Sequence, residues 1–360
     1  MQKMLAGLVA VMVLTVGSVL AGPKWEINSD SNCWMQLGVM GQPHFLYTDN
    51  GTDKEDFFLR RGRIILSGQV KDGVMFFVET DAANAGKNGV STAHVDIQDA
   101  YVDFRLNKCD FGEQWLKAGL ILLPFSFENR AGASSLLGVD YNAEVIKLVN
   151  TFVWRDYGAE LHGNLSDRFS YIVGAYDGYD SVEGTKNPEA SLRLTGHIAL
   201  NLIGKAETSW FFNQERLGKG APYFSIGAGI DQQEKATLTS TTVAGTTNKV
   251  RTITDNEAFV VDFQSGFQAG PVGLTLNGGW YTWDNISFDG DTACVELGAM
   301  VKQTQLTGKY SIQDADSGVS VEDYTVGLNY FLKGHNARGG VEYRWGDSPT
   351  TVLVGLQFLL

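Results

Sequence analysis

Charged side chains recur at every second position along much of this chain. Arg61 and Arg63 stand two apart, Asp99, Asp103 and Arg105 share one parity, and Asp156, Glu160 and His162 share another. On a β-strand such residues emerge from one face, so each series sets ionic groups side by side along a wall. A wall of this kind can sort ions and polar solutes by charge. Covalent catalysis needs a nucleophile held against its base, and no local motif supplies that. The five histidines, His44, His94, His162, His197 and His335, accompany no Gly-x-Ser-x-Gly elbow, no His-Glu-x-x-His pair and no Gly-x-x-x-x-Gly-Lys loop. Asp314-Ala315-Asp316-Ser317-Gly318 opens like a calcium loop, but Thr325 stands where the late acidic ligand belongs, so the segment reads as a hydrated turn. No catalytic residue, metal or cofactor is expected.

The elements that hold such walls must be strands. The 360 residues include 42 Gly and only 7 Pro, with 11% aromatics, which is unlike a disordered chain. Outside the N-terminus no apolar run approaches the roughly 20 residues of a membrane helix. A formal charge of −13 leaves no basic footprint, so nucleic acid is not an expected partner. Three scattered cysteines support neither a disulfide scaffold nor a zinc site. On the expected strand order Cys33 and Cys109 lie too far apart to bridge. Residues 1–21 carry Lys3, an apolar stretch from Met4 to Val16 and small residues up to Ala21, the pattern of a cleaved secretory signal. The remainder, 22–360, reads as one domain.

Alternation runs through that remainder. Leu192, Leu194, Ile198 and Leu200 alternate with Arg193, Thr195, His197 and Ala199, and Tyr324, Val326, Leu328, Tyr330 and Leu332 alternate with Asp323, Thr325, Gly327 and Asn329. Most runs reach the roughly 9 to 11 residues that a tilted strand needs to cross a bilayer. Strands are expected near 34–47, 57–70, 73–81, 95–106, 114–122, 155–165, 169–178, 190–200, 221–232, 256–267, 271–283, 291–301, 304–313, 321–332, 336–345 and 350–360. The fold class is therefore all-β, a transmembrane antiparallel β-barrel of about 16 strands with short periplasmic turns and long external loops. The count becomes 18 if Ala206 to Phe212 and Glu234 to Thr242 are strands as well. The connection 201–220 breaks the short-turn pattern. Phe57 and Phe58, Tyr281 and Trp283, and Tyr343 and Trp345 fall near strand ends, where interfacial aromatic girdles belong. The last residues, Gly355 to Leu360, are similar to the assembly signal of outer-membrane barrels, with Leu360 at the final position.

One ordered series of motifs is more specific. Phe57-Phe58-Leu59-Arg60-Arg61-Gly62-Arg63-Ile64 with Gly68, Leu116-Lys117-Ala118-Gly119 before Pro124-Phe125-Ser126-Phe127-Glu128, and Trp154-Arg155-Asp156-Tyr157-Gly158 together resemble the phosphate-selective porin O/P family. Tyr176-Asp177-Gly178, Leu217-Gly218-Lys219 and Ser225 to Gly229 extend the resemblance over most of the chain. It implies a 16-stranded outer-membrane barrel, a homotrimer, with loop 123–154 folded inward as a constriction carrying Glu128, Arg130, Asp140, Glu144 and Lys147.

The face opposite the lipid then governs function. Parity turns Arg61, Arg63, Arg105, Lys117, Arg193, Lys309, Arg338 and Arg344 inward with Glu79, Asp81, Asp99, Asp103, Asp156, Glu160, Asp231, Asp262, Glu296, Asp323 and Glu342. His44, His162 and His197 share that face, and Arg155 joins the candidate pore lining. The wall is mixed, with a slight acidic excess, whereas a phosphate site wants converging Arg and Lys donors without interleaved carboxylates. Passive diffusion of small hydrophilic solutes and ions through an outer-membrane pore leads. The alternatives are an anion- or phosphate-selective channel, a scaffold or adhesin barrel with a closed lumen, and a lipid-hydrolysing barrel.

Overall fold

The computed structural model describes residues 22–28, 32–51, 54–90, 93–109, 112–142, 145, 154–178, 191–204, 214–217, 221–242, 249–284 and 288–360. A short strand, β1 (Lys24–Asn28), precedes sixteen longer ones. These are β2 (Cys33–Asp49), β3 (Lys54–Lys71), β4 (Val74–Asp81), β5 (Asp96–Cys109), β6 (Gly112–Leu122), β7 (Arg155–Ser166), β8 (Phe169–Tyr176) and β9 (Arg193–Ile203) in the first half. The second half holds β10 (Tyr223–Thr242), β11 (Lys249–Ala269), β12 (Val272–Asp284), β13 (Gly290–Val301), β14 (Thr304–Ala315), β15 (Ser320–Phe331), β16 (Ala337–Gly346) and β17 (Thr350–Leu359).

From β2 onward each strand pairs antiparallel with its sequence neighbours, and β17 pairs back onto β2 from Thr350↔Asp49 to Leu359↔Met40. The sheet closes into a barrel with no free edge, as a membrane-spanning sheet must. Beyond the end of β17 the N-terminal segment takes over beside β2: the Leu37 N–H donates to Pro23 O (3.2 Å), and β1 pairs with β2 from Lys24↔Gln36 onward. Five residues are too few to show an alternation, which is why β1 escapes a sequence reading.

Alternation becomes a division between two environments. Along β15, Tyr324, Val326, Leu328 and Tyr330 are 41 to 50% exposed on the outside, while Asp323 and Asn329 are 2% and 1% exposed on the inside. The described residues give the sixteen-strand count and not eighteen. Glu234 to Thr242 continues β10 past a bulge, with Lys235 at φ 51°, and stays paired with β11 through Thr242↔Lys249. The bulge breaks the period of two and imitates a strand end. Ala206 to Phe212, residues 1–21 and residues 243–248 lie outside the described residues.

The aromatic expectation needs correction. Phe57 (71% exposed), Tyr343 (45%) and Trp345 (37%) do face outward, but Phe58, Tyr281 and Trp283 are 8% exposed or less and point into the barrel. Tyr281 and Trp283 share the parity of Asn277 on β12, and their rings pack against Phe125 of the folded-in loop at 6.1 and 5.7 Å. Proximity to a strand end did not decide their face; register did. Outside, Tyr310, Tyr324, Tyr343 and Trp345 form a contiguous band, with ring centroids 5.2 to 5.8 Å apart from one ring to the next.

Leu328 lies between Tyr324 and Tyr330 on the apolar outer face of β15. Leu328→Arg is expected to cost about 2–4 kcal/mol of stability in lipid, as a cation does near the bilayer midplane. Urea unfolding in vesicles measures this, and an unchanged midpoint would contradict the outward assignment.

Candidate pore and constriction

Inside the barrel the cations find partners by register. Arg61 Nη1 donates to Gln42 Oε1 (2.7 Å) and Nη2 to Asp140 Oδ1 (2.9 Å), while Arg60 Nε donates to the other Asp140 oxygen (2.5 Å). Two residues on, Arg63 is clamped between Glu79 (2.7 Å) and Asp81 (2.9 Å) of the neighbouring strand. Arg155 pairs with Asp99 (2.8 Å), Lys117 with Glu160 (3.0 Å) and Arg193 with Asp231 through two nitrogens at 2.7 Å. Lys309 pairs with Glu342 (2.9 Å), and Arg344 stands 3.9 Å from Asp323. Arg105, near the short-turn end, bonds Asp72. His162 and His197 lie 2.9 Å from Asp103 and Asp262. Asp156 is different: its carboxylate accepts the backbone N–H of Tyr157 and Gly178 at the rim, at the start of an external loop.

The described part of loop 123–154, between β6 and β7, runs through the lumen. Its neck is closed by the Leu123 N–H donating to Trp154 O (2.8 Å), and Asn129 folds it back by accepting from Ser126 N–H and donating to Leu123 O. Phe127 N–H reaches Asp262 on β11 (2.6 Å), and its ring meets His197 edge-on at 4.8 Å. The loop then crosses to the opposite wall. Gln42 donates to Ala133 O (2.9 Å), Gln357 to Ser134 O (2.8 Å), Arg338 to Leu136 O (2.6 Å) and Asn329 to Leu137 O (2.9 Å). Val139 N–H donates to Glu342 (3.0 Å) and Lys309 to Asp140 O (2.5 Å). Side-chain amides on three strands, with Arg338, Lys309, Glu342 and Asp262, thus satisfy the backbone of the described segment 127–140, as burial requires.

Close approach is made possible by two paired glycines. Gly340 of β16 sits directly across from Gly355 of β17, and both face inward. A Cβ on either would stand 2.7 or 2.5 Å from a Val139 methyl, so only this pair leaves the pit that Val139 fills.

A second segment enters from the other end. The long 204–222 connection between β9 and β10 brings Gln214 and Glu215 into the barrel, 6% and 1% exposed. Gln214 accepts from Leu137 N–H (2.9 Å) and donates to Glu128 (2.5 Å) and Glu296 (3.1 Å). Glu215 N–H donates to Ser135 O, and its carboxylate accepts from Thr275 and Gln305. The break in the short-turn pattern therefore marks a segment that docks beneath the loop.

Of the loop residues read from the sequence, Glu128, Arg130 and Asp140 are inside the lumen, and Glu144 and Lys147 lie outside the described residues. Burial alone would raise the Asp140 carboxyl, but Arg60 and Arg61 hold it well below the usual carboxylate range. Burial, with the Glu296 carboxylate next, pushes Glu128 up to about 8. Two cavities of several hundred Å³ among the described residues share no lining residue. An upper one of about 400 Å³ is lined by Arg60, Lys87, Asp140, Tyr141, Asp323 and Arg344, and a lower one of about 590 Å³ is roofed by Arg130. Sequence reasoning missed Gln42, Gln214, Glu215, Asn329 and Gln357; parity marks the strand residues among them as inward, but only the docked loop gives them a task.

The chain matches the family described as phosphate-selective porin O and P over residues 34–253. No curated protein sequence matches it. Among solved structures it is similar to OprB of Pseudomonas putida at 10% identity, covering 92% of this chain and 95% of that one with a TM-score of 0.61. An anion-selective porin from Comamonas acidovorans is similar at 13% identity, 91% and 99% coverage and a TM-score of 0.55. OmpT, an outer membrane protein of Vibrio cholerae, is similar at 12% identity, 93% and 99% coverage and a TM-score of 0.56. These likenesses concern the fold, whereas the family match spans more than half the sequence, through the double-Arg strand and the folded-in loop: the chain belongs to the phosphate-selective porin O and P family.

Proposed function

We propose that this protein is an outer-membrane porin through which small hydrophilic solutes and ions diffuse passively, without chemistry. One observation carries the reading: among the described residues each inward cation of the wall is matched to a carboxylate or to a loop carbonyl, so no ring of unpartnered cations is left to select anions. The apolar outer face takes outer-membrane lipid as its solvent. The similarity to OmpT of Vibrio cholerae extends to a structure described as its trimer form, and supports a homotrimer here. Residues 1–21 act as a cleaved signal, so the mature chain begins at Gly22.

The upper cavity, where Arg60, Lys87 and Arg344 gather, favours a second reading in which anions are drawn to the external mouth. Asp140, Asp323 and Glu342 line the same cavity and oppose it.

In vesicles reconstituted with the purified protein, uncharged sugars and amino acids are expected to enter at rates that fall with solute size. Shortening the loop between residues 126 and 142 is expected to raise the rate. Vesicle swelling measures both; no swelling with correctly folded protein would replace the pore with the closed scaffold. The docked loop should also respond to pH. A carboxyl raised in the docked state binds protons there that it would lose once solvated, so docking weakens as pH climbs from the ordinary carboxylate range through about 8. Conductance is expected to rise across that window and to stay level in Glu128→Gln. An unchanged rise in Glu128→Gln would assign the response elsewhere.

A further inference from the structure

Two groups of aromatic side chains facing the lumen differ in their surroundings. Tyr281 and Trp283 are buried under Phe125 and belong to the packing of the loop. Phe77, Tyr101 and Trp115, on β4, β5 and β6, remain partly exposed below the loop and line the lower cavity of about 590 Å³. Phe77 and Tyr101 are directly paired across their strands, with stacked rings 5.3 Å apart. Trp115 is paired in the same way with His162, 6.4 Å away and 12° from parallel. A lumen wall is ordinarily polar; Tyr101 also packs against the cluster around Phe125, but all three rings keep part of their surface toward the cavity.

Polar groups surround the rings. Asp103 lies against His162, and Glu113 accepts from Trp115 Nε1 (3.3 Å) and pairs with Lys108 (2.8 Å). Asn164 and Ser170 complete the rim. This lining discriminates among ligand classes. A cation would compete with cations already over the rings, since Arg105 lies 5.6 Å from the Trp115 centroid and Lys117 lies 4.7 Å from that of Tyr101. An anion would meet the buried Arg130 at the roof but face Asp103 and Glu113 at the wall, while Arg105 and Lys117 are committed to Asp72 and Glu160. A wholly apolar molecule would strip water from Asp103, Glu113, Asn164 and Ser170 without replacing its hydrogen bonds. A neutral polyhydroxylated ring meets both demands, because its C–H face covers an aromatic ring while its hydroxyls donate to carboxylates and amide oxygens. The volume falls within the range of about 300–1,000 Å³ usual for small-molecule sites.

The geometry points to a binding site for a neutral pyranose, as a mono- or disaccharide, on the periplasmic side of the constriction. The site rests on the water-filled lumen of the porin reading, but sugar can occupy it whether or not net flux is fast.

The test is calorimetric titration of the detergent-solubilised full-length protein with glucose and with maltose, beside vesicle swelling on the same preparation. Saturable binding of at least one sugar is expected, weakened roughly tenfold or more in Trp115→Ala and in Phe77→Ala, about the loss of one stacking contact. Asn164→Ala, which leaves every ring in place, is expected to weaken binding less. Circular dichroism shows which variants keep the barrel. Absence of binding by wild type, or equal affinity in folded Trp115→Ala and Phe77→Ala, would overturn the site. Binding without swelling would keep the site and remove the pore, and swelling without binding would do the reverse.

Discussion

Every backbone amide that faces hydrocarbon must find its partner within the chain, and the pairing of β17 with β2 is what makes this true around the whole circumference. Once the ring is closed, each strand has two faces and no edge. Apolar side chains go to one solvent and polar ones to the other, with a period of two. The inner face of sixteen strands is too large to be filled by strand side chains alone, so a separate segment has to occupy it. Residues 123–142 do so, and the wall is adapted to them by amides at Gln42, Asn329 and Gln357 and by the pit at Gly340 and Gly355.

The charges follow from the same confinement. Inside the barrel a cation without a partner is costly, and removing one member of a buried pair such as Lys117 and Glu160 leaves the other stranded, at about 3–5 kcal/mol. Cross-strand register resolves this by setting acid beside base: Lys117 directly opposite Glu160, Glu296 directly opposite Lys309. With its cations held by carboxylates and loop carbonyls, and carboxylates the more numerous, the described wall presents no row of free guanidinium or ammonium groups. That is a poor design for an oxyanion trap and a good one for a pore that admits hydrated solutes of either sign.

Much of this was legible in the sequence, for definite reasons. A strand has only two faces, so parity was enough to read that Arg61, Asp262 and Glu296 share a side with water. Long apolar alternations such as 324–332 announce themselves. Pairing was not legible, because partners such as Arg193 and Asp231 come from register between strands far apart in sequence. The faces of Tyr281 and Trp283 were misread because aromatics beside a strand end suit an interfacial girdle as well as they suit loop packing. The entry of Gln214 and Glu215 into the lumen left one trace only, an overlong turn, and the bulge at Lys235 imitated a strand boundary.

The charge balance of the pore decides which ions pass. Its most direct test is the reversal potential of single channels in a planar bilayer under a steep salt gradient, with and without inorganic phosphate on one side. A reversal potential close to zero and unmoved by phosphate is the expected result. A strongly anion-selective potential, with current blocked by phosphate and restored in Arg60→Ala, would contradict it.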